Sequence, residues 1–449
     1  MVLNLEVADG TKLLVQNNKP LIINGQLTGN TGYVELLAGS TLFVDRIVGD
    51  NHIIPEQGTF DVNTVFQSNM ILQRQQPIPI YGAASNGLTV SVTLDGETKT
   101  TTASNGKWEV IFDAKEAGTG SLNLSITGSD TYNFTNILMG DVWICGGQSN
   151  MQLNVGYFKD NGYSEFTNVP GSYENNQIRF AKASIYESNE KQENIQYSSN
   201  WEVANETSIL QFSATGYFFG KYLHEEVNVP IGLILAARGG TGMGSFIPLE
   251  TVNANPNIKD KYDYAEINLS GPSTLYNTMI HPLTKQAIKG VIWYQGEHEA
   301  NRLADRTTFS SIFTDLIDSW RTAWSQNDMP FLFTQLSAWA RQNNEPVQSN
   351  IAIVRNQQLN TWKTVANTGM VVSIDGGVNG GSDDIHPPNK EDVGSQLALF
   401  ARKLAYNEDI QYTGPKIRQA VRVNQTRGSM VIPKPFFSGL YAKAVKLNK

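Results

Sequence analysis

From residue 141 onward, short continuous apolar runs alternate with stretches of helical periodicity, and this alternation constrains the fold more than any other feature of the chain. The runs are Val142–Cys145, Ile178–Ala183, Ile231–Ala237, Gly290–Tyr294, Pro330–Leu336 and Met370–Ile374. Runs of this length without polar alternation suit strands covered on both faces. Between them lie amphipathic stretches. In the clearest, Phe309, Ile312, Phe313, Leu316, Ile317, Trp320 and Trp324 recur at the spacing of one helix face, and Val393, Leu397, Phe400 and Leu404 mark another. The alternation predicts an α/β fold: a mostly parallel sheet with helices on both sides, whose ligand sits beyond the carboxyl ends of the strands.

Upstream the texture differs. Thr89–Leu94 alternates and is β-branched, Asp95-Gly96 reads as a hairpin turn, and Glu97–Thr102, Trp108–Phe112 and Leu122–Ile126 follow as further strands. Residues 61–140 are expected to form a small β-sandwich. Residues 1–60 are polar, rich in Gly, Asn and Thr, with short β-like runs such as Leu13–Gln16 and Leu21–Ile23, and no chemistry stands out there. No internal repeat is evident on reading. The expected layout is a β-rich extension at 1–60, the β-sandwich at 61–140, the α/β domain at 141–410 and a short β-rich tail at 411–449. A chain of 449 residues is long enough to bury its own core without disulfides or metal.

Charge narrows the partners. With 34 Lys and Arg against 42 Asp and Glu, the net charge is −8, which argues against neutralising a nucleic-acid backbone. Cys145 is the single cysteine, so neither an intrachain disulfide nor a cysteine zinc site is possible, and its apolar run makes it a core thiol. No apolar run reaches the ~18 residues of a membrane span, so no membrane insertion is expected. Met1 to Val15 carries Glu6 and Asp9 and no basic segment, which does not read as a secretory signal.

The residues directly after each apolar run carry the chemistry. Gly146-Gly147-Gln148-Ser149-Asn150-Met151 follows the first; glycines there allow a sharp turn and close approach, making Ser149 a nucleophile candidate. A serine capping the next helix is the competing reading. Met151 departs from the G-x-S-x-G elbow. Arg238-Gly239-Gly240-Thr241-Gly242-Met243-Gly244 follows another run. It lacks the lysine of a P-loop, and position 245 is Ser, so a backbone donor to an oxyanion suits it better than a nucleotide cradle. After Tyr294 comes Gln295-Gly296-Glu297-His298-Glu299. The Gln295 amide is a candidate oxyanion donor. Glu297 reads as a buried carboxylate behind the site and His298 as a surface residue. Adjacent residues do not converge on one ion, so no metal is expected. Of the five histidines, His386 alone comes with an acid beside it at a strand's end, in Asp383-Asp384-Ile385-His386-Pro387-Pro388. A carboxylate three residues before it, Asp383, can reach its ring N–H and fix the tautomer.

Together these segments resemble the sialate O-acetylesterase family within the SGNH (GDSL-like) hydrolases, which includes carbohydrate acetylesterases. The resemblance rests on Gly140-Asp141-Val142-Trp143-Ile144-Cys145-Gly146-Gly147-Gln148-Ser149-Asn150-Met151, Gly239-Gly240-Thr241, Trp293-Tyr294-Gln295-Gly296-Glu297, Arg355 with Gln358, and Asp384-Ile385-His386-Pro387 with Asn389-Lys390. Phe66 to Arg74 and Gly106-Lys107-Trp108 resemble the family's β-domain. Departures are Arg238, where the family often has Trp, and His298-Glu299, where it often has Ser-Asn; both bear on the sugar rather than the chemistry.

The resemblance implies a flavodoxin-like SGNH-hydrolase three-layer sandwich with a parallel sheet, preceded by the β-sandwich. It implies a serine esterase removing O-acetyl groups from a carbohydrate, with sialic acid first and acetylxylan or acetylated bacterial polysaccharide as other substrates. Ser149 would attack the acetyl carbonyl with His386 as base and Asp383, or Asp384 by the family's own pattern, as orienting acid. The Ser149 N–H, the backbone of Gly239 or Gly240 and the Gln295 amide would hold the oxyanion. Gln148, Asn150 and Glu297 are expected to brace the site, and Arg238 or Arg355 to meet substrate. No cofactor is needed. The reading from another class is a glycan-binding, phage or cell-surface structural protein with an inactive esterase fold. The β-rich flanks favour an extracellular, cell-surface or virion location over a cytoplasmic one, with oligomerisation through residues 1–60.

Overall fold

The computed structural model describes residues 60–169, 174–259, 270–337, 349–374 and 385–414, together with the backbone of strands between residues 5 and 55 and between 419 and 431. Its centre is a mixed sheet of β1 (Thr131–Gly147), β2 (Asn175–Ala183), β3 (Tyr197–Ala204), β4 (Ile231–Ala237), β5 (Gly290–Tyr294), β6 (Phe331–Thr334) and β7 (Thr368–Val371). The spatial order is β3-β2-β4-β1-β5-β6-β7, and every pair but β2–β3 is parallel. The strands β4-β1-β5-β6-β7 have the 2-1-3-4-5 order of a flavodoxin-like sheet, whose direction of winding reverses beside β1 and opens a crevice there. Each apolar run expected to be a strand contributes one.

The parallel strands are buried on both faces, as their continuous apolar runs require. On one face Trp143, Cys145, Leu233, Ile292 and Leu332 pack with Tyr217, Phe218, Val393, Leu397 and Phe400, residues of helices flanking the sheet. On the other, Val142, Ile144, Trp293, Phe331 and Phe333 pack with Ile312, Phe313, Leu316 and Trp320. Alternate residues of β1 thus feed two separate cores. The periodic stretch from Phe309 does form a helix, Phe309–Ala323, and its apolar stripe is the buried one. Burial pushes the Cys145 thiol far up from its ordinary range, fitting a core residue.

β1 is 17 residues long and crosses the position where the sequence texture changes. Its first half pairs antiparallel with Gly118–Thr127, and its second half lies in the parallel sheet. The hairpin at Asp95-Gly96 forms, with both residues at positive φ. A second sheet joins Phe60–Val62, Ile78–Ala84 and Lys107–Phe112. Its Ile80, Trp108 and Phe112 share one buried cluster with Val90, Val92 and Leu94 of the first.

Where the two halves of β1 meet, Asp141 is fully buried and accepts from Arg74 Nε (3.0 Å), Arg74 Nη2 (3.0 Å), Gln73 Nε2 (2.9 Å) and Tyr406 Oη (2.8 Å). This carboxylate ties the β-rich segment to the end of the chain's last described helix. Breaking such a buried pair typically costs about 3–5 kcal/mol, and Lys289 is the cation that still attracts Asp141 once Arg74 is gone. Arg74→Met should therefore lower unfolding free energy by about that much in urea titration. A midpoint unchanged from the parent would show that the pair does not stabilise the junction.

Upstream of residue 60 the described strands pair in parallel. Leu5–Glu6, Pro20–Thr28 and Thr41–Val48 form one sheet, and Lys12–Val15, Tyr33–Leu36 and His52–Pro55 another. Paired residues such as Pro20 and Thr41, or Lys12 and Tyr33, recur at about 20 residues, the spacing of a solenoid coil. No repeat stands out in the sequence because the register partners, Leu21 with Leu42 and Ile23 with Val44, match in type more than in identity. Gln419–Arg422 and Gly428–Val431 pair antiparallel. Among the described residues, no helix is long and apolar enough to cross a membrane.

Candidate active site

The chain leaves β1 through a turn that only glycine adopts easily. Gly147 sits at φ +129°, and a Cβ there would lie 2.3 Å from the Tyr294 carbonyl oxygen of the neighbouring strand. Gln148 then donates its N–H to that same carbonyl at 3.1 Å. The helix α1 (Ser149–Gln152) starts at once. Gln148, not Ser149, occupies its N-cap, and no side chain caps it. The serine hydroxyl is turned elsewhere: Ser149 Oγ lies 2.9 Å from His386 Nε2. Two residues 237 positions apart are thus in hydrogen-bond contact at the carboxyl end of β1, beside the crevice that the strand order opens. Asp383 and Asp384, and Asp375 after β7, lie outside the described residues.

The segment holding His386 is anchored from behind. α2 (Ala214–Val227) packs against α3 (Lys390–Ala405), the helix that begins just after His386. Asn150, which follows the serine, is 1 % exposed. Its Nδ2 donates to Glu297 Oε1 (2.5 Å) and to the carbonyl of Ile385 (3.0 Å), the residue before His386. Its Oδ1 accepts from Lys390 Nζ at 2.5 Å, and its carbonyl accepts from Thr215. Burial pushes the Glu297 carboxyl up to about 7, against the lowering effects of its own backbone N–H, Asn150 and Lys390.

The glycine loop lies directly against the serine. A Cβ on Gly239 would stand 3.3 Å from Ser149 Cβ. The Gly239 N–H donates to Gln152 Oε1 at 2.6 Å. Gly240 has φ +73° and its carbonyl accepts from His298 Nδ1 at 2.8 Å. His298 is therefore a buried residue, 7 % exposed, and not the surface residue expected. The reason is the helix Glu297–Arg302, which turns back onto the glycine loop and carries the ring with it. Gln148 Oε1 accepts the His298 N–H at 3.3 Å, so Gln148 braces this contact. Gln295 Nε2 donates to the Thr241 carbonyl at 2.6 Å and reaches Glu299 Oε1 at 3.4 Å. Glu299 in turn accepts the Met243 N–H at 2.7 Å. Glu297, His298 and Glu299 thus face Asn150, Gly240 and Met243 respectively, three different directions. Among the described residues no group of three metal-binding side chains converges.

The two arginines are engaged with the protein. Arg238 Nη1 meets Glu187 Oε1 at 2.5 Å and Ser270 Oγ at 2.7 Å. Arg355 Nε donates to the Leu336 carbonyl at 2.7 Å, and its Nη2 donates to that of Ser337. Gln358, one turn on, accepts from Leu336 N–H and donates to the Gln295 carbonyl at 3.1 Å. This pair ties together the loops that follow β5 and β6. Gln152, Glu187 and the bridging position of Lys390 were not singled out from the sequence. Only Lys390 carried a signal, four residues after His386 in the first turn of an amphipathic helix.

Comparison with known proteins identifies relatives of this chain. The family described as carbohydrate esterase, sialic acid-specific acetylesterase matches residues 139–402. Sialate O-acetylesterase of Mus musculus is 29% identical over 406 residues, covering 77% of this chain and 74% of its own. The Homo sapiens enzyme of that name is 28% identical over 399 residues, covering 79% and 73%. The crystal structure of a carbohydrate acetylesterase from Xanthomonas citri superposes with a TM-score of 0.73 at 31% identity, over 83% of this chain and 81% of that one. The family match spans more than half of the chain and includes both Ser149 and His386, and on that ground the chain belongs to the sialic acid-specific acetylesterase family of carbohydrate esterases.

Proposed function

We propose that this carboxylic ester hydrolase removes O-acetyl groups from carbohydrate through an acetyl-enzyme on Ser149. The observation that carries the reading is the 2.9 Å contact between Ser149 Oγ and His386 Nε2. A neutral imidazole at that distance takes the hydroxyl proton as Oγ attacks the acetyl carbonyl, then gives it to the departing sugar hydroxyl. Water enters by the same route and releases acetate. Asp383 or Asp384 serves as the acid that fixes the ring tautomer. The Ser149 N–H, among the helix N–H groups that lack a partner within the helix, and the Gly239 N–H hold the oxyanion, Gln152 giving way when substrate enters. Gln295 keeps its place as the third expected donor. In this state its amide holds the glycine loop through Thr241, so its contact with an oxyanion requires that bond to be exchanged. Gly240, Gln148, Asn150 and Glu297 hold the loop and the helix start in place.

O-acetylated sialic acid is the favoured substrate, supported by the names of the mouse and human relatives. Arg238 already carries Glu187, so a substrate carboxylate has to compete for it. Arg355 acts on the scaffold and not on sugar. The inactive-scaffold reading is disfavoured by the retained Ser149–His386 contact. Acetate release across O-acetylated sialic acids, acetylxylan and acetylated bacterial polysaccharide tests the assignment. Turnover should be fastest on the sialic acids; a higher kcat/KM on acetylxylan would move the substrate to neutral glycans.

A further inference from the structure

We propose that Lys390 and Glu297, joined through the Asn150 side-chain amide, form a buried positioning clamp that sets the Ser149–His386 distance and tightens when the carboxyl ionises. The proposal rests on the assignment of Ser149 and His386 as nucleophile and base.

Lys390 is placed where local preference disfavours it. It is fully buried and occupies the first position of a helix, where a cation opposes the helix dipole. The acidic residues that suit this end, Glu391 and Asp392, come directly after it. Its ammonium lies over the rings of Tyr294 (4.8 Å) and Phe158 (5.5 Å) and donates to Asn150 Oδ1. A rule broken in this way marks a site where another requirement dominates.

That requirement is the orientation of Asn150. An ammonium only donates and a backbone carbonyl only accepts. With Lys390 on one side and the Ile385 carbonyl on the other, the amide has a single workable orientation. Its remaining N–H character falls on Glu297 Oε1. The three side chains thereby connect three separate segments: the helix start bearing Ser149, the turn beyond β5, and the His386 segment running into its helix. Each of the two reacting side chains is adjacent in sequence to an atom of the clamp.

The clamp also contains an ionisable carboxyl. Facing the Glu297 carboxyl are Lys390 from the last helix, Glu299 on its own helix, Tyr294 from β5 and the neutral Asn150. A carboxyl pushed up to about 7 is protonated below that pH and ionised above it. The ionised form attracts Lys390 through the amide. Turnover should therefore rise with pH as Glu297 ionises.

The experiment is the pH profile of kcat for an aryl acetate with Lys390→Met, Lys390→Arg, Glu297→Gln and the double variant K390M/E297Q, each checked by circular dichroism. Misplacement of reacting groups by about an ångström can cost on the order of 10²-fold. Lys390→Met should lower kcat by about that factor and leave KM within about threefold, since the substrate contacts are untouched. Its acid limb should move to higher pH, because Glu297 loses the cation that favours ionisation. Lys390→Arg should restore most of the loss. Glu297→Gln should remove the Glu297 ionisation from the limb, and adding K390M should not move it further. A K390M enzyme with parental kcat, or one whose limb stays in place, overturns the clamp. Should K390M fail to fold, a Glu297→Gln limb identical to the parent overturns it alone. Ser149→Ala separates the two levels: retained turnover there sinks the site assignment, whereas its loss beside an unaffected K390M sinks only the clamp.

Discussion

Ser149→Ala is expected to lower kcat for acetate release by about 10⁶-fold, and His386→Ala by a similar factor. In the proposed mechanism the two side chains work as one unit: without the imidazole the hydroxyl keeps its proton, and without the hydroxyl the imidazole has nothing to activate. The double variant should accordingly be no worse than either single one. Some rate above the uncatalysed reaction should survive in all three, because backbone donors to the oxyanion remain. Acetate release from an aryl acetate and from an acetylated sugar measures this. Either single variant retaining more than about a hundredth of the parental rate would remove that residue from the chemistry.

The second large effect falls on folding. Gly147→Ala puts a methyl group where the Tyr294 carbonyl oxygen would be 2.3 Å away, on a residue held at φ +129°. The obstacle is backbone of a central strand, which cannot rotate aside as a side chain can. Relief requires separating the ends of β1 and β5, and with it the Gln148 N–H bond to Tyr294. Backbone strain of this kind with overpacking places the expected loss at about 4 kcal/mol or more. Urea unfolding or soluble yield reads it. Activity should fall in parallel, since Ser149 lies two residues on. A Gly147→Ala chain with parental stability and turnover would show that the turn tolerates other conformations.

How much of this was legible depends on the length scale of the signal. Strands buried on both faces announce themselves as unbroken apolar runs, so Val142–Cys145, Ile231–Ala237 and Gly290–Tyr294 could be placed from residue type alone. The same holds for the stripe from Phe309 to Trp320, and for Asp95-Gly96, whose turn needs positive φ at both residues. Ser149 and His386 could be named because each follows a strand and carries a local signature.

Contacts made by the far ends of side chains were not legible. His298 read as a surface residue, yet its environment is the Gly240 carbonyl, 58 residues away. Arg238 and Arg355 looked available to substrate; whether a guanidinium is free depends on whether Glu187, or the Leu336 carbonyl, lies within reach. The coil-like pairing before residue 60 was hidden because such a repeat preserves residue type and spacing more than identity. The texture change at residue 141 located a real difference between one half of β1 and the other. Only the pairing showed that a single strand runs through it.

The sequence by itself determined the main strands and helix faces and marked Ser149 and His386 as candidates, since periodicity and local motif are properties of neighbours along the chain. Tertiary structure decided which strands lie side by side, which donors are already occupied, and that Lys390 lies behind the serine and not on the surface. Those outcomes depend on burial and on distances between residues far apart in sequence, such as the 240 positions separating Lys390 from Asn150, and no local pattern encodes them.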